Sequence, residues 1–221
     1  MLIMKGSYLD LGATTPQALD ISRKSRELIA GLVGDETLED RIKQRCVIAT
    51  GDPAIAETIR FRCGPVEAGL RAIGSGAHIF ADIGMVEAGI VKIGHRSPIT
   101  TFLGKGDEIA KRTGITRTSA GVLSVLDELS GSIVVIGNAP SALMALCERM
   151  ERGKATPALV IGMPVGFVNA AESKERLRQI EIPSISNVGT RGGTPLAVAC
   201  INEIINLHFR EDQGMDEGQE C

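Results

Sequence analysis

The chain has 221 residues, 43% apolar and 23% charged, which is the length of one domain with ample material for a core and excludes a disordered polymer. Its 24 basic and 27 acidic residues give a formal charge of −3, so no basic field for nucleic acid covers the molecule. Five acids (Glu211, Asp212, Asp216, Glu217, Glu220) fall in the last eleven residues; residues 1–210, with 24 basic against 22 acidic groups, carry +2.

The opening segment MLIMKGSYLDLG lacks the charged-then-apolar order of a secretory signal, and no window approaches the ~18 apolar residues of a membrane span. A cytoplasmic protein is expected. Thr15-Pro16 is a cap followed by proline at the first helical position. Ala18, Ile21, Ser25, Leu28, Ile29 and Leu32 then recur at helical steps as far as Gly31 and Gly34, predicting an amphipathic helix with that face inward. A second helix follows Asp35 through Leu38, Ile42 and Cys46. Asp52-Pro53 repeats the cap signal and predicts a third through Ile55, Ile59 and Phe61, and a short fourth spans Val66 to Ile73.

From residue 77 short apolar runs alternate with helical patterns. The runs at 77–81, 132–136 and 158–161 lack polar alternation, as strands buried on both faces of a parallel sheet do; 182–188 and 99–103 are weaker examples. Helical patterns fill 118–129, 140–152, 170–179 and 195–208. The prediction is a three-layer α/β/α domain over 1–210, with a mostly parallel central sheet preceded by N-terminal helices, and an acidic flexible tail over 211–221. Cys46, Cys63, Cys147, Cys200 and Cys221 form no CxxC pair and are read as reduced, mostly packed thiols.

Ligands of open parallel sheets bind beyond the carboxyl ends of the strands. Those ends carry Asp82, Gly137-Asn138-Ala139-Pro140, Gly162 to Phe167, and Gly189 to Thr194. Glycines there let backbone N–H groups approach anionic ligand groups, although tight strand-to-helix turns need glycine whether or not anything binds. Neither GxGxxG nor GxxxxGK[ST] occurs, which leaves a nucleotide-binding module as a distant third reading.

The segments Gly137-Asn-Ala-Pro-Ser-Ala-Leu, Val160-Ile-Gly-Met-Pro-Val-Gly-Phe-Val-Asn-Ala-Ala-Glu-Ser-Lys174 and Gly189-Thr-Arg-Gly-Gly-Thr194 resemble the C-terminal signatures of the precorrin-8X methylmutase family. Weaker matches at Ile21–Ser25, Arg45–Asp52, Asp82–Gly89 and Thr116–Thr118 extend the likeness over about residues 20 to 207. The resemblance implies a homodimeric α/β/α isomerase of cobalamin biosynthesis, without metal or organic cofactor. Such an enzyme moves a methyl group between adjacent ring carbons of a tetrapyrrole, turning a precorrin or its cobalt analogue into hydrogenobyrinate or cobyrinate. The many carboxylates of that ligand suit arginine forks. The matched positions implied in binding are Ser25, Arg45, Thr50, Asp82, Met85, Arg117, Asn138, Gly162, Pro164, Arg191, Gly192 and Gly193.

One departure bears on catalysis. The family's motif reads Ile-His-Ala-Thr-Gly-Asp, with the histidine as the implied general acid; here Ile48 stands before Ala49-Thr50-Gly51-Asp52, and isoleucine transfers no proton. His78 lies four residues before Asp82, ~13 Å back along a strand, and is read as structural. His208 falls at a helix end. His95, in the 92–98 loop, is the one weak substitute. Arg26 also replaces the family's phenylalanine, and Gly84 an acidic residue. Two readings follow: a divergent enzyme whose proton comes from water, another residue or the substrate, and a non-catalytic tetrapyrrole-binding paralogue.

Overall fold

The computed structural model describes residues 10–214. Helices α1 (Pro16–Val33) and α2 (Leu38–Thr50) come first, each capped by a threonine, with Thr37 and Asp40 forming a reciprocal capping box on α2. The Asp52-Pro53 signal starts only one 3-10 turn, Pro53–Thr58. The third helix expected through Ile59 and Phe61 is instead strand β1 (Ile59–Arg62), because Ile-Arg-Phe-Arg alternates with period two and turns its apolar side inward.

Thereafter come α3 (Pro65–Gly74), β2 (Ile79–Ala81), α4 (Gly84–Gly89), β3 (Ile99–Thr101), α5 (Asp107–Thr113), α6 (Arg117–Ser124), β4 (Ile133–Ile136), α7 (Pro140–Glu151), β5 (Leu159–Gly162), α8 (Ala170–Gln179), β6 (Ser184–Asn187) and α9 (Thr194–Asp212). The short α4 and α5 carry too few periodic apolar positions for the sequence pattern to register. The helix expected over 118–129 breaks at Val125 into a separate 3-10 turn, Leu126–Glu128.

The six strands form one sheet in the order β1-β6-β5-β4-β2-β3, parallel throughout except for β1 against β6. Ile79 pairs with Ile99 and Ile133, and Ile133 with Leu159. Side-chain alternation divides the core between two faces. Ile79, Ala81, Ile133, Val135, Leu159, Ile161 and Ile185 meet α2, α3, α4 and α9, while Phe80, Val134, Ile136 and Val160 meet α6, α7 and α8.

Helix α9 lies between the sheet and α2, with α3 and α4 beside it, which accounts for a helix buried on nearly every side. Its embedded polar residues have assigned partners. Asn202 accepts from the Val91 N–H (2.9 Å) and donates to the Gly89 carbonyl (2.9 Å), and Asn206 accepts from the Leu11 N–H (3.2 Å). Glu203 pairs with Arg26 of α1 at 2.8 Å.

That last pair corrects the face assigned to α1. Ile21, Leu28 and Leu32 point to solvent, 58%, 74% and 67% exposed, whereas Arg26 is buried and Ile29 and Val33 reach the core. The buried carboxylate on α9 selects Arg26 as the inward residue, a requirement that α1's own periodicity does not contain. Glu211 and Asp212, expected in a flexible tail, belong to the last turn of α9; residues 215–221, with the remaining tail acids and Cys221, lie outside the described residues. Cys46, Cys147 and Cys200 are buried as expected, but Cys63 is exposed on a turn at φ 58°. No helix of the described residues is long and apolar enough to cross a membrane.

Candidate functional site

A cavity of about 580 Å³, a usual size for a small-molecule site, lies between α1, α2 and the first turns of α9, with residues 10–13 as one wall. It collects Ser25 from α1, Arg45 and Ile48 from α2, and Pro195 from the start of α9. Spacing explains the convergence within α2: Arg45, Ile48 and Ala49 stand three and four residues apart on one helix face. The opposite face, Ile42, Cys46 and Val47, is buried against the core.

The strongest electrostatic feature of the cavity was not found from sequence. Arg45 Nη1 and Nη2 reach the two carboxylate oxygens of Asp10 at 2.6 and 3.1 Å, and Ser22 Oγ donates to the same carboxylate at 2.7 Å. Burial alone would push the Asp10 carboxyl upward; the hydrogen bond and charge of Arg45, then Ser22 and the Gly12 N–H, outweigh it and hold the group at about 2. Asp10 precedes every motif of the resemblance and follows no periodic pattern, so nothing in the sequence marks it.

Arg191 stands near the same helix end without lining the cavity. It pairs with Asp52, just past the C-cap of α2, at 2.5 Å, and both side chains are largely exposed. Arg117 does not join them. It begins α6 on the other face of the sheet and forms a two-pronged pair with Asp107 at 2.9 and 3.0 Å. The arginines expected to converge are therefore divided between layers. Thr50 is at the end of α2, its hydroxyl donating to the Cys46 carbonyl at 2.9 Å, while Ser25 donates to Ile21 at 2.9 Å.

At the sheet rim, most residues read as ligand contacts brace the protein itself. Asp82 is fully buried and accepts from the N–H groups of Gly137 (3.1 Å), Asn138 (2.8 Å) and Ala139 (2.9 Å). Burial moves its pKa upward despite those bonds. The amides expected to meet an anion at this loop are thus already engaged, because a carboxylate at the end of β2 faces the turn after β4. Gly162 is packed on Leu177 and Leu143, leaving no room for a Cβ, and Pro164 and Gly193 are buried too. Gly193 N–H donates to Met163 O at 2.7 Å, and a Cβ on Gly192 would stand 2.5 Å from the carbonyls of Met163 and Pro164. Asn138 and Met85 remain exposed, as do Val165, Phe167 and Val168 of the loop after β5.

None of the three histidines lines the cavity. His78 bonds Thr100 Oγ1 through Nε2 (2.7 Å) and stacks on Phe80, in keeping with its structural reading. His95 is folded into its own loop: Nδ1 accepts from Ser97 N–H (3.1 Å) and Nε2–H donates to Val91 O (2.8 Å). With both nitrogens engaged away from the cavity, it is no substitute acid here.

The precorrin-8X methylmutase family pattern matches residues 20–207. The chain belongs to the precorrin-8X methylmutase family. It is 40% identical to a cobalt-precorrin-8 methylmutase of Methanocaldococcus jannaschii over 88% of this chain and 96% of that one. To a protein of the same description from Methanothermobacter thermautotrophicus it is 42% identical, over 89% and 97%. A solved precorrin-8X methylmutase of Thermus thermophilus superposes with TM-score 0.80 and 36% identity, covering 90% of this chain and 99% of that structure. The match takes in most of α1 and all of α2, and so the cavity residues from Ile21 onward as well as the signature loops, while the 10–13 wall precedes it.

Proposed function

We propose that this chain is an isomerase of corrin biosynthesis that moves a methyl group between adjacent ring carbons of a polycarboxylate tetrapyrrole bound at the α1–α2–α9 cavity. The observation carrying this reading is that Ser25, Arg45 and Ile48, drawn from two separate segments of the family resemblance, line one cavity.

The ion pairs divide the work among the arginines. Arg191 and Asp52 are exposed, and such a pair contributes only ~0–1 kcal/mol, so a ligand carboxylate can replace Asp52 at small cost. Arg191 is therefore the residue proposed to grip the substrate. Arg45, held by buried Asp10, acts by fixing the 10–13 wall. Neither residue of that pair supplies a proton near neutrality: Asp10 is ionised and arginine keeps its proton.

The rate then rests on holding the substrate in a conformer from which its methyl migrates, with the proton drawn from water or the substrate. Without a positioned acid, the ~10²–10⁴-fold that such a group contributes is forgone. The single-domain reading of 1–210, a homodimer and a cytoplasmic location belong to the same proposal. Exposed Phe167 and Val168 on one side, and Leu28 and Leu32 on another, offer apolar surface for a second copy.

Incubation of the purified protein with the metal-free and the cobalt-containing methyl-migration substrates, followed by absorbance of the macrocycle, tests the proposal. Conversion of either supports it. Saturable binding without conversion selects the carrier reading that Ile48 suggests, and absence of binding to both rejects the site.

A further inference from the structure

Lys174, in the second turn of α8, is fully buried behind the rim loop that carries Arg191. Its ammonium donates to Asn187 Oδ1 (3.1 Å) and to the Arg191 carbonyl (2.6 Å). Asn187, the last residue of β6 and itself fully buried, donates Nδ2–H to that same carbonyl at 2.7 Å. Residues of α8 and β6 thus converge on one backbone oxygen of the loop.

A buried ammonium is costly unless its environment needs a cation, and both hydrogen-bond acceptors here are neutral amide oxygens. Burial, and after it the charge of Arg178, bring the Lys174 pKa down to about 8. Leucine or methionine would fill the space without that penalty, so packing does not account for the residue. The segment it holds, however, has two glycines at positive φ on either side of Arg191: Gly189 at 81° and Gly193 at 111°. Positive φ at both positions calls for glycine. Gly166 N–H holds the Thr190 carbonyl and Gly193 N–H holds Met163 O on either side of Arg191, and the Lys174–Asn187 pair is the tie on the Arg191 carbonyl itself.

We propose that Lys174, together with Asn187, is a positioning residue for substrate binding: by clamping the Arg191 carbonyl it aims the Arg191 guanidinium at the end of α2, beside the cavity. The inference rests on the reading that Arg191 grips a ligand carboxylate. It predicts that the two residues act as one unit although only Arg191 touches the ligand.

The test is a double-mutant cycle with hydrogenobyrinate as probe, read as Kd by absorbance titration on wild type, R191A, K174M and the double variant. R191A is expected to weaken binding at least tenfold, K174M to weaken it similarly, and the double variant to bind within twofold of R191A alone. In turnover, K174M should raise KM more than it lowers kcat, which a general loss of folding would not do. Should K174M fail to fold, N187S loosens the same carbonyl and is read in the same cycle. K174M binding like wild type while R191A is weakened, or a K174M loss that adds in full to that of R191A, overturns the clamp alone. Wild-type affinity in R191A overturns both the clamp and the assignment of Arg191 to the substrate.

Discussion

Asp10 and Arg45, 35 positions apart, meet through two parallel hydrogen bonds of 2.6 and 3.1 Å in the wall of the cavity. The pair ties the segment before α1 to the middle of α2, and Asp10 is nearly inaccessible to water. Breaking such a pair from one side leaves a charge without its counter-charge. Asp10→Asn is expected to destabilise the fold by about 2–4 kcal/mol in urea unfolding. A change below ~0.5 kcal/mol would mean that the pair is dispensable.

Acid should expose the same contact. The Asp10 carboxyl lies at about 2 in the fold against an ordinary 3.8, so its contribution is fully present above pH 3.8 and is lost as pH falls towards 2. Roughly 2 kcal/mol of stability should disappear across that window. The loss should be absent in Asp10→Asn when the two proteins are compared by thermal melts from pH 5 to 2.

Lysine 174 has the opposite sign. Its pKa is about 8 in the fold and 10.5 in an ordinary setting, so between those values the unfolded chain binds the extra proton and stability rises with pH. Wild type should therefore gain on K174M from pH 8 to 10.5 in denaturant titrations. A parallel pH dependence of the two proteins would place the lysine in water.

Isoleucine 48 occupies the position where the family resemblance implies an acid, and it lines the cavity. Ile48→His should raise kcat by ~10²–10⁴-fold with little change in Kd, since the ligand-gripping groups are untouched. An unchanged rate in a variant that still binds would show that proton transfer does not limit the reaction.

Glycine 192 has no room for a methyl group, because the Met163 and Pro164 carbonyls would lie 2.5 Å from it. These are backbone atoms, one already bonded to Gly193 N–H, and cannot swing aside as a side chain would. Gly192→Ala is expected to cost ~1–3 kcal/mol and to weaken tetrapyrrole binding by displacing Arg191. Unaltered melting and affinity would imply that the loop shifts freely.

The central strands were legible because parallel strands covered on both faces are written as unbroken apolar runs, as at Ile133–Ile136. Strand β1 was not: Asp52-Pro53 is a sound start signal for a helix, but the alternation of Ile59 and Phe61 with arginines a few residues later outweighs it through pairing with β6. Within the site, Ser25, Arg45 and Ile48 came from the weaker motif matches and do share a cavity, whereas Asp82, from a match of the same grade, and Gly162 and Gly193, from the stronger signatures, are buried in the scaffold. A glycine that lets two loops touch and one that admits a ligand are the same letter.

By itself the sequence determined the layered α/β class, the buried strands, the loops at their carboxyl ends and the family, since these depend on periodicity, turn chemistry and local strings of residues. Only the tertiary structure decided that Arg26 turns inward to Glu203, that Asp10 claims Arg45, that Arg117 stands on the far face of the sheet and that Lys174 reaches the Arg191 carbonyl. Each of those depends on which charge or carbonyl a distant segment brings within about 3 Å, and hydrogen bonding at that range is set by packing, to which no local pattern of residues has access.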